Sequence, residues 1–196
     1  MKKSEITRLT ILNKAFELIY SNGYRTSSID DIIATTQVTK GAFYYHFKTK
    51  DDMGVAIIDE ILKPRLSQKF LELLEKQTTP LESIYHLMRN LLLEDDLLEV
   101  ELGCPASNLI QEMTPWNTPF SNALNKLVNQ WLSLLISTLE LGKKNGLISK
   151  EIDTKSTATF ILSGYWGARN VGKLTKSIEP YNSFLQQLKT YLKILE

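Results

Sequence analysis

Residues 39–53 of the chain read TKGAFYYHFKTKDDM. Lys40, Tyr44, Tyr45, His46 and Lys50 put ammonium, phenol and imidazole groups within a few residues of one another. That is chemistry for hydrogen-bonding phosphates and base edges, and tyrosine does it on a stiff arm that loses little entropy when fixed. Thr39, Gly41 and Ala42 share the segment, and Ser27 and Ser28 lie upstream; together these residues are the candidate DNA-contacting set. A second reading stands beside it, since half-buried core tyrosines show the same spacing.

Catalysis has little to build on. His46 and His86 are the only histidines, and the first falls inside that segment. Glu94, Asp95, Asp96, Glu99 and Glu101 cluster without a neighbouring histidine or glycine-rich phosphate loop, which reads as a solvated helix end. No catalytic, cofactor or metal site is expected. The single cysteine, Cys104, excludes an internal disulfide framework. It stands in Gly-Cys-Pro ahead of a short helix, where helix amides can lower a thiol's pKa. It is therefore either a redox- or electrophile-sensing thiol or an inert buried one.

The elements that must hold these groups are helical. Ile6, Leu9, Leu12, Phe16 and Ile19 recur at three and four, giving one apolar stripe. That first helix should stop at Ser21-Asn22-Gly23, with the glycine left-handed. Ser27-x-x-Asp30 reads as a capping box opening a second helix, 28–36, with Ile29, Ile32 and Ile33 inward. Thr39 caps a third, 39–47, anchored by Val38, Phe43 and Phe47. Thr49-x-x-Asp52 is another capping box, and its helix should reach about Glu75 with a kink at Pro64, which lacks a backbone donor. Short helices in this order make a helix-turn-helix unit, whose second short helix enters the DNA major groove.

Further on, Thr79-Pro80 opens a helix to about residue 97, and the proline-rich stretch 99–119 holds a short one near 106–113. A long amphipathic helix begins at Thr118-Pro119 and ends near Asn145-Gly146. Asp153 caps another to about Gly172, and Glu179-Pro180 introduces the last. Nothing alternates with period two. The fold class is all-α, about nine helices: a helix-turn-helix domain at 1–50, its connecting helix to about 64, and a second helical domain at 65–196.

Hydrophobic content of 43% and charged content of 23% are those of a globular chain. No run approaches the roughly 18–20 apolar residues of a membrane span, and MKKSEITR lacks the apolar core of a secretory leader, so a cytoplasmic protein is expected. Residues 1–50 hold eight Lys/Arg against four acids, whereas the remainder holds 15 against 18. A basic head on a mildly acidic body points to a polyanion partner for the head.

The order GYRTSSIDDIIATTQVTKGAFYYHFKTKDDM (23–53) resembles the DNA-binding domain of the tetracycline-repressor-like (TetR) family of bacterial regulators. Val38, Thr39, Lys40, Gly41, Phe43, Tyr44, His46, Phe47, Thr49 and Lys50 stand where that family's motif has them, and the likeness covers about residues 4–64. Gln37 departs from it, standing where glycine is common, and a left-handed glutamine there would strain the turn. GCPASNLIQEM (103–113) is similar to a segment of one subgroup of these regulators.

The resemblance implies a ligand-responsive transcriptional repressor, a homodimer released from a pseudo-palindromic operator by a small molecule. An activator, or a thiol sensor using Cys104, is the alternative; an enzyme or a non-DNA interaction module is the remote one. Its implied partners are double-stranded operator DNA, a second copy through the last two helices, and a small-molecule effector, with no membrane. Ser163, Gly164, Gly167, Ala168 and Gly172 make one helix thin enough for close approach of that copy. An effector cavity in the second half would draw on Met88, Leu92, Met113, Trp116, Phe120, Trp131, Tyr165, Trp166 and Arg169, with Asn108, Glu112 and Asn170 as further polar groups. Aromatics at helical spacing serve equally well as core. Pro64, in the joining helix, is placed to transmit the change.

Overall fold

A computed structural model describes residues 2–75, 79–95 and 98–196. The helices are α1 (Lys3–Asn22), α2 (Ile29–Ala34), α3 (Lys40–His46), α4 (Lys50–Ile57), α5 (Lys63–Glu75), α6 (Pro80–Leu93), α7 (Pro105–Met113), α8 (Thr118–Lys144), α9 (Thr154–Thr175) and α10 (Glu179–Ile194). A π-helical turn, Ile58–Leu62, joins α4 to α5 without a break. The described residues contain no strand. They form two compact units, Met1–Arg65 with Pro105–Leu127, and Leu66–Cys104 with Val128–Glu196. The sequence reading places 105–127 in the second domain; by its contacts this segment groups with the helix-turn-helix head.

In the first unit α1 packs on α2, α4 and the π turn. It buries Ile11, Leu12, Ala15, Phe16, Ile19 and Tyr20, whereas Ile6, expected on the same stripe, is 52% exposed. Ile32 of α2, Phe43 of α3, Phe47 and Met53 complete the small core. Each such side chain contributes about 1.5–3 kcal/mol on burial. Gly23 ends α1 with φ 92° and ψ 156°, a positive-φ but extended conformation rather than the left-handed helical one expected.

The capping box of α2 is Ser28 with Asp31, one residue later than Ser27 with Asp30. Ser28 Oγ accepts from the Asp31 amide, and the Asp31 carboxylate accepts from the Ser28 amide. Ser27 is buried instead, its hydroxyl donating to the Gly23 carbonyl. Thr49 and Asp52 form the box that opens α4, as their spacing requires. Gln37 is exposed, and the one non-glycine with positive φ among the described residues is Lys176, so the α2–α3 turn carries no left-handed glutamine.

Pro64 takes effect one turn earlier than its position. It can offer no N–H to the Glu60 carbonyl, and the helix widens just before it, with the Lys63 amide donating to Ile58. The extra residue of that π turn places Glu60 beside α1.

In the second unit α10 packs on α9 and α6, and α6 also meets α9. A Cβ at Gly164 would lie 2.5 Å from Phe184 Cε2, and one at Gly172 would lie 2.4 Å from Tyr181 Cε1. These two glycines are therefore required by α9–α10 packing inside one protomer. Gly172 is buried against Tyr181 and does not end the helix: α9 runs past it to Thr175, and Lys176 (φ 50°) makes the left-handed cap.

Arg169 is wholly buried and donates to the carbonyls of Leu98 and Gly103 and to the Tyr181 hydroxyl, each at 3.1 Å. Asp95 is buried as well and pairs with Lys69, and Glu94 pairs with Arg89. The acidic cluster is thus not simply a solvated helix end; Asp96 lies outside the described residues. None of the described helices is long and apolar enough to cross a membrane.

Candidate nucleic-acid interface

The short helix α3 has two faces of opposite character. Phe43 and Phe47 are buried and tilt against each other with ring centroids 5.7 Å apart, fixing the helix to the core. Tyr45 and Tyr44 project from the other side, 78% and 46% exposed. Thr39 caps the helix by accepting from the Ala42 amide at 3.2 Å. Thr39, Lys40 and Gly41 are exposed, and Ala42 and His46 are half-buried. A Cβ built on Gly41 meets nothing within 4 Å. The fold itself thus has no need of a glycine there.

Charge on this face is held in reserve. Lys40 pairs with Asp30 of α2 at 2.8 Å with both partners well exposed, and that pairing raises its pKa. His46 is pushed below its ordinary value, first by burial and then by the charge of Arg8. Ser28, at the head of α2, is exposed beside the same turn.

Two of the residues singled out from sequence stand apart from this face. Ser27 lies inside the Gly23–Ser27 turn. Lys50 points its ammonium inward, donating to the Tyr24 carbonyl at 2.6 Å and sitting 4.3 Å over the Tyr24 ring, and this burial lowers its pKa. The Asp52 amide of α4 is taken by Thr49, and Asp51 and Asp52 put two carboxylates in its first turn, so this helix end is poorly suited to a phosphate.

Residues from α7 to the start of α8 brace the turn after α1 and the first turns of α4. Glu112 of α7 accepts the amides of Tyr24 (3.0 Å) and Arg25 (2.6 Å). The Tyr24 hydroxyl donates to Asp51 at 2.5 Å, and burial followed by that bond raises its pKa. Asn117 donates to the other Asp51 oxygen. Phe120 inserts where Gly54 has no side chain; a Cβ there would lie 2.3 Å from the ring. Sequence reasoning missed these braces, because those from Glu112, Asn117 and Phe120 join positions more than sixty residues apart.

The effector candidates are dispersed. Phe120 and Met113 are buried in the first unit, and Trp116 is 77% exposed in the turn after α7. Asn108 is half-buried on α7, and Glu112 is the brace just described. Met88, Leu92, Trp131 and Tyr165 are buried in the second unit. There Trp131 stacks on Phe70 at 5.2 Å with Trp166 at 6.5 Å, and the buried indole N–H of each tryptophan lacks a protein acceptor. Arg169 is engaged with carbonyls, and Asn170 is half-buried. Cys104 is 1% exposed.

Residues 11–57 match the family model for bacterial regulatory proteins of the tetR family, and residues 80–188 match that for the tetracyclin repressor-like C-terminal domain. The chain belongs to the TetR family. As such it is a ligand-responsive, DNA-binding transcriptional regulator with a TetR fold. It is similar to an uncharacterized HTH-type transcriptional regulator in the lacX 3′ region of Lactococcus lactis, 27% identical over 94% of this chain and 92% of that protein. It is also similar to the HTH-type transcriptional repressor DhaR of Mycobacterium sp. strain GP1, 25% identical over 91% and 88%. Among solved structures, a TetR transcriptional regulator from Chloroflexus aurantiacus matches with a TM-score of 0.89, 23% identity, and 98% and 97% coverage. TetR regulators bind DNA operators as dimers and answer to small molecules.

Proposed function

We propose that this TetR regulator is a homodimeric repressor that reads a pseudo-palindromic operator with α3 and is released by a small molecule bound in its second unit. The observation that carries the reading is the outward pair Tyr44 and Tyr45 on a helix locked by Phe43 and Phe47. Thr39, Lys40, Gly41, Ala42, Tyr44, Tyr45 and His46 face the groove, and Ser28 adds a contact at the head of α2. Two copies would place their α3 helices in successive major grooves, about 34–36 Å apart. Curated relatives named as repressors, such as DhaR, favour repression over activation.

The second copy docks on the exposed face of α9. Phe160, Ser163, Gly167, Val171 and Leu174 recur at three and four on that face and are all exposed. An effector that binds a hundredfold better when the heads are wrongly spaced would weaken operator binding by about 2.7 kcal/mol, enough for a useful switch.

The test is a mobility shift with a duplex that the wild-type chain selects from a random-sequence library. Selective binding that Tyr45→Ala lowers tenfold or more, with melting temperature unchanged, supports the reading. Equal binding by the variant moves the groove-reading face elsewhere.

A further inference from the structure

We infer that Arg8 of α1 is a positioning residue for groove reading, fastening the end of α3 to the π turn between α4 and α5. This rests on the assignment of α3 as the reading helix. Three contacts converge on one guanidinium. Its Nε and Nη2 donate to the two carboxylate oxygens of Glu60, in the π turn, at 3.0 and 2.5 Å. Its Nη1 donates to the His46 carbonyl, the last residue of α3, at 3.2 Å. Its face lies 4.4 Å over the Phe47 ring.

The chemistry explains why arginine stands here. A helix end leaves carbonyls without intrahelical partners, and the His46 carbonyl is one of them. The planar fork of a guanidinium can hold a carboxylate bidentately on one edge, reach a carbonyl from another, and still stack on a ring. A lysine ammonium can supply the charge but not the three fixed directions. Bidentate pairing with Glu60 orients the fork, and the fork then sets where α3 ends. Glu60 is presented to Arg8 by the turn that widens ahead of Pro64. The angle of the reading helix is thereby tied to the winding of the helix that leads out of the head.

A bare phosphate-binding role for Arg8 makes different predictions, so the two are separable. The experiment compares Arg8→Lys, Arg8→Gln, Glu60→Gln and the double Arg8→Gln/Glu60→Gln with wild type. It uses the selected duplex and a scrambled duplex over a range of salt, with melting temperature measured in parallel. Positioning predicts a three- to tenfold loss of selective binding in each single variant, Arg8→Lys included, and no further loss in the double. Binding to the scrambled duplex and its salt dependence should not change. Wild-type behaviour of Arg8→Lys, a shallower salt slope in Arg8→Gln, or unaltered Glu60→Gln would each overturn the role. So would a parallel loss on both duplexes with a lowered melting temperature. If those variants behave as wild type while Tyr45→Ala still loses selective binding tenfold or more, only the Arg8 role falls. If wild type selects no duplex, the regulator reading falls with it.

Discussion

Gly41 separates the needs of the fold from those of the interface. A glycine inside a helix costs up to about 1 kcal/mol against alanine, and here a Cβ would meet only open space. Gly41→Ala should therefore raise thermal stability slightly while weakening selective DNA binding at least threefold, because the methyl group occupies the space a backbone or base would fill. Unchanged binding in a mobility shift would assign the glycine no role in DNA contact. His46 gives a second such separation. Its folded pKa lies below the ordinary 6.5, so it is neutral at pH 7. Stability linked to it is intact above 6.5 and is lost as pH falls towards the folded value. Duplex phosphates favour the cation, so operator affinity should move the other way and rise as pH drops below 6.5. His46→Gln should abolish that rise while retaining exposed His86, a comparison that titration of binding by fluorescence anisotropy can make.

Much of the helical framework was readable because caps and stripes are local. Thr49-x-x-Asp52 has one solution and the structure uses it. SSIDD has two, since Ser27 and Ser28 are each followed by aspartate three residues on, and only the burial of Ser27 chooses between them. Pro64 announced a disturbance but not its form, because widening into a π turn depends on what Glu60 meets across the unit. The thin face of α9 was read as a single feature. Gly164 and Gly172 prove to serve contacts with α10, leaving Gly167 as the one open to a second copy. Gly167→Trp should split the dimer, seen by light scattering as a halved mass, with the protomer still folded. Gly164→Ala should instead destabilise the fold by about 1–3 kcal/mol in urea unfolding, through its clash with Phe184. The effector residues were least legible, since the same aromatics at the same spacing can serve a core, a brace or a cavity.

The basic head and acidic remainder make the molecule an oriented charge, and DNA binding should be strongly salt-dependent. Each phosphate neutralised contributes about 0.9 to the slope of log affinity against log salt. A dimer carries every head residue twice. Lys40→Gln should therefore flatten the slope by about 1.8, whereas a single head on a half-site would lose only about 0.9. The same measurement thus reports both the phosphate contact and the number of heads engaged.

The three tryptophans give this regulator its own optical readout. Trp116 stands 77% exposed in the head unit, while Trp131 is 2% exposed in the second unit and stacked on Phe70. Iodide should quench the red-shifted emission of the first and spare that of Trp131. A Trp116→Phe chain would then emit from the second unit alone, so a compound that settles among its aromatics would announce itself by fluorescence without any label.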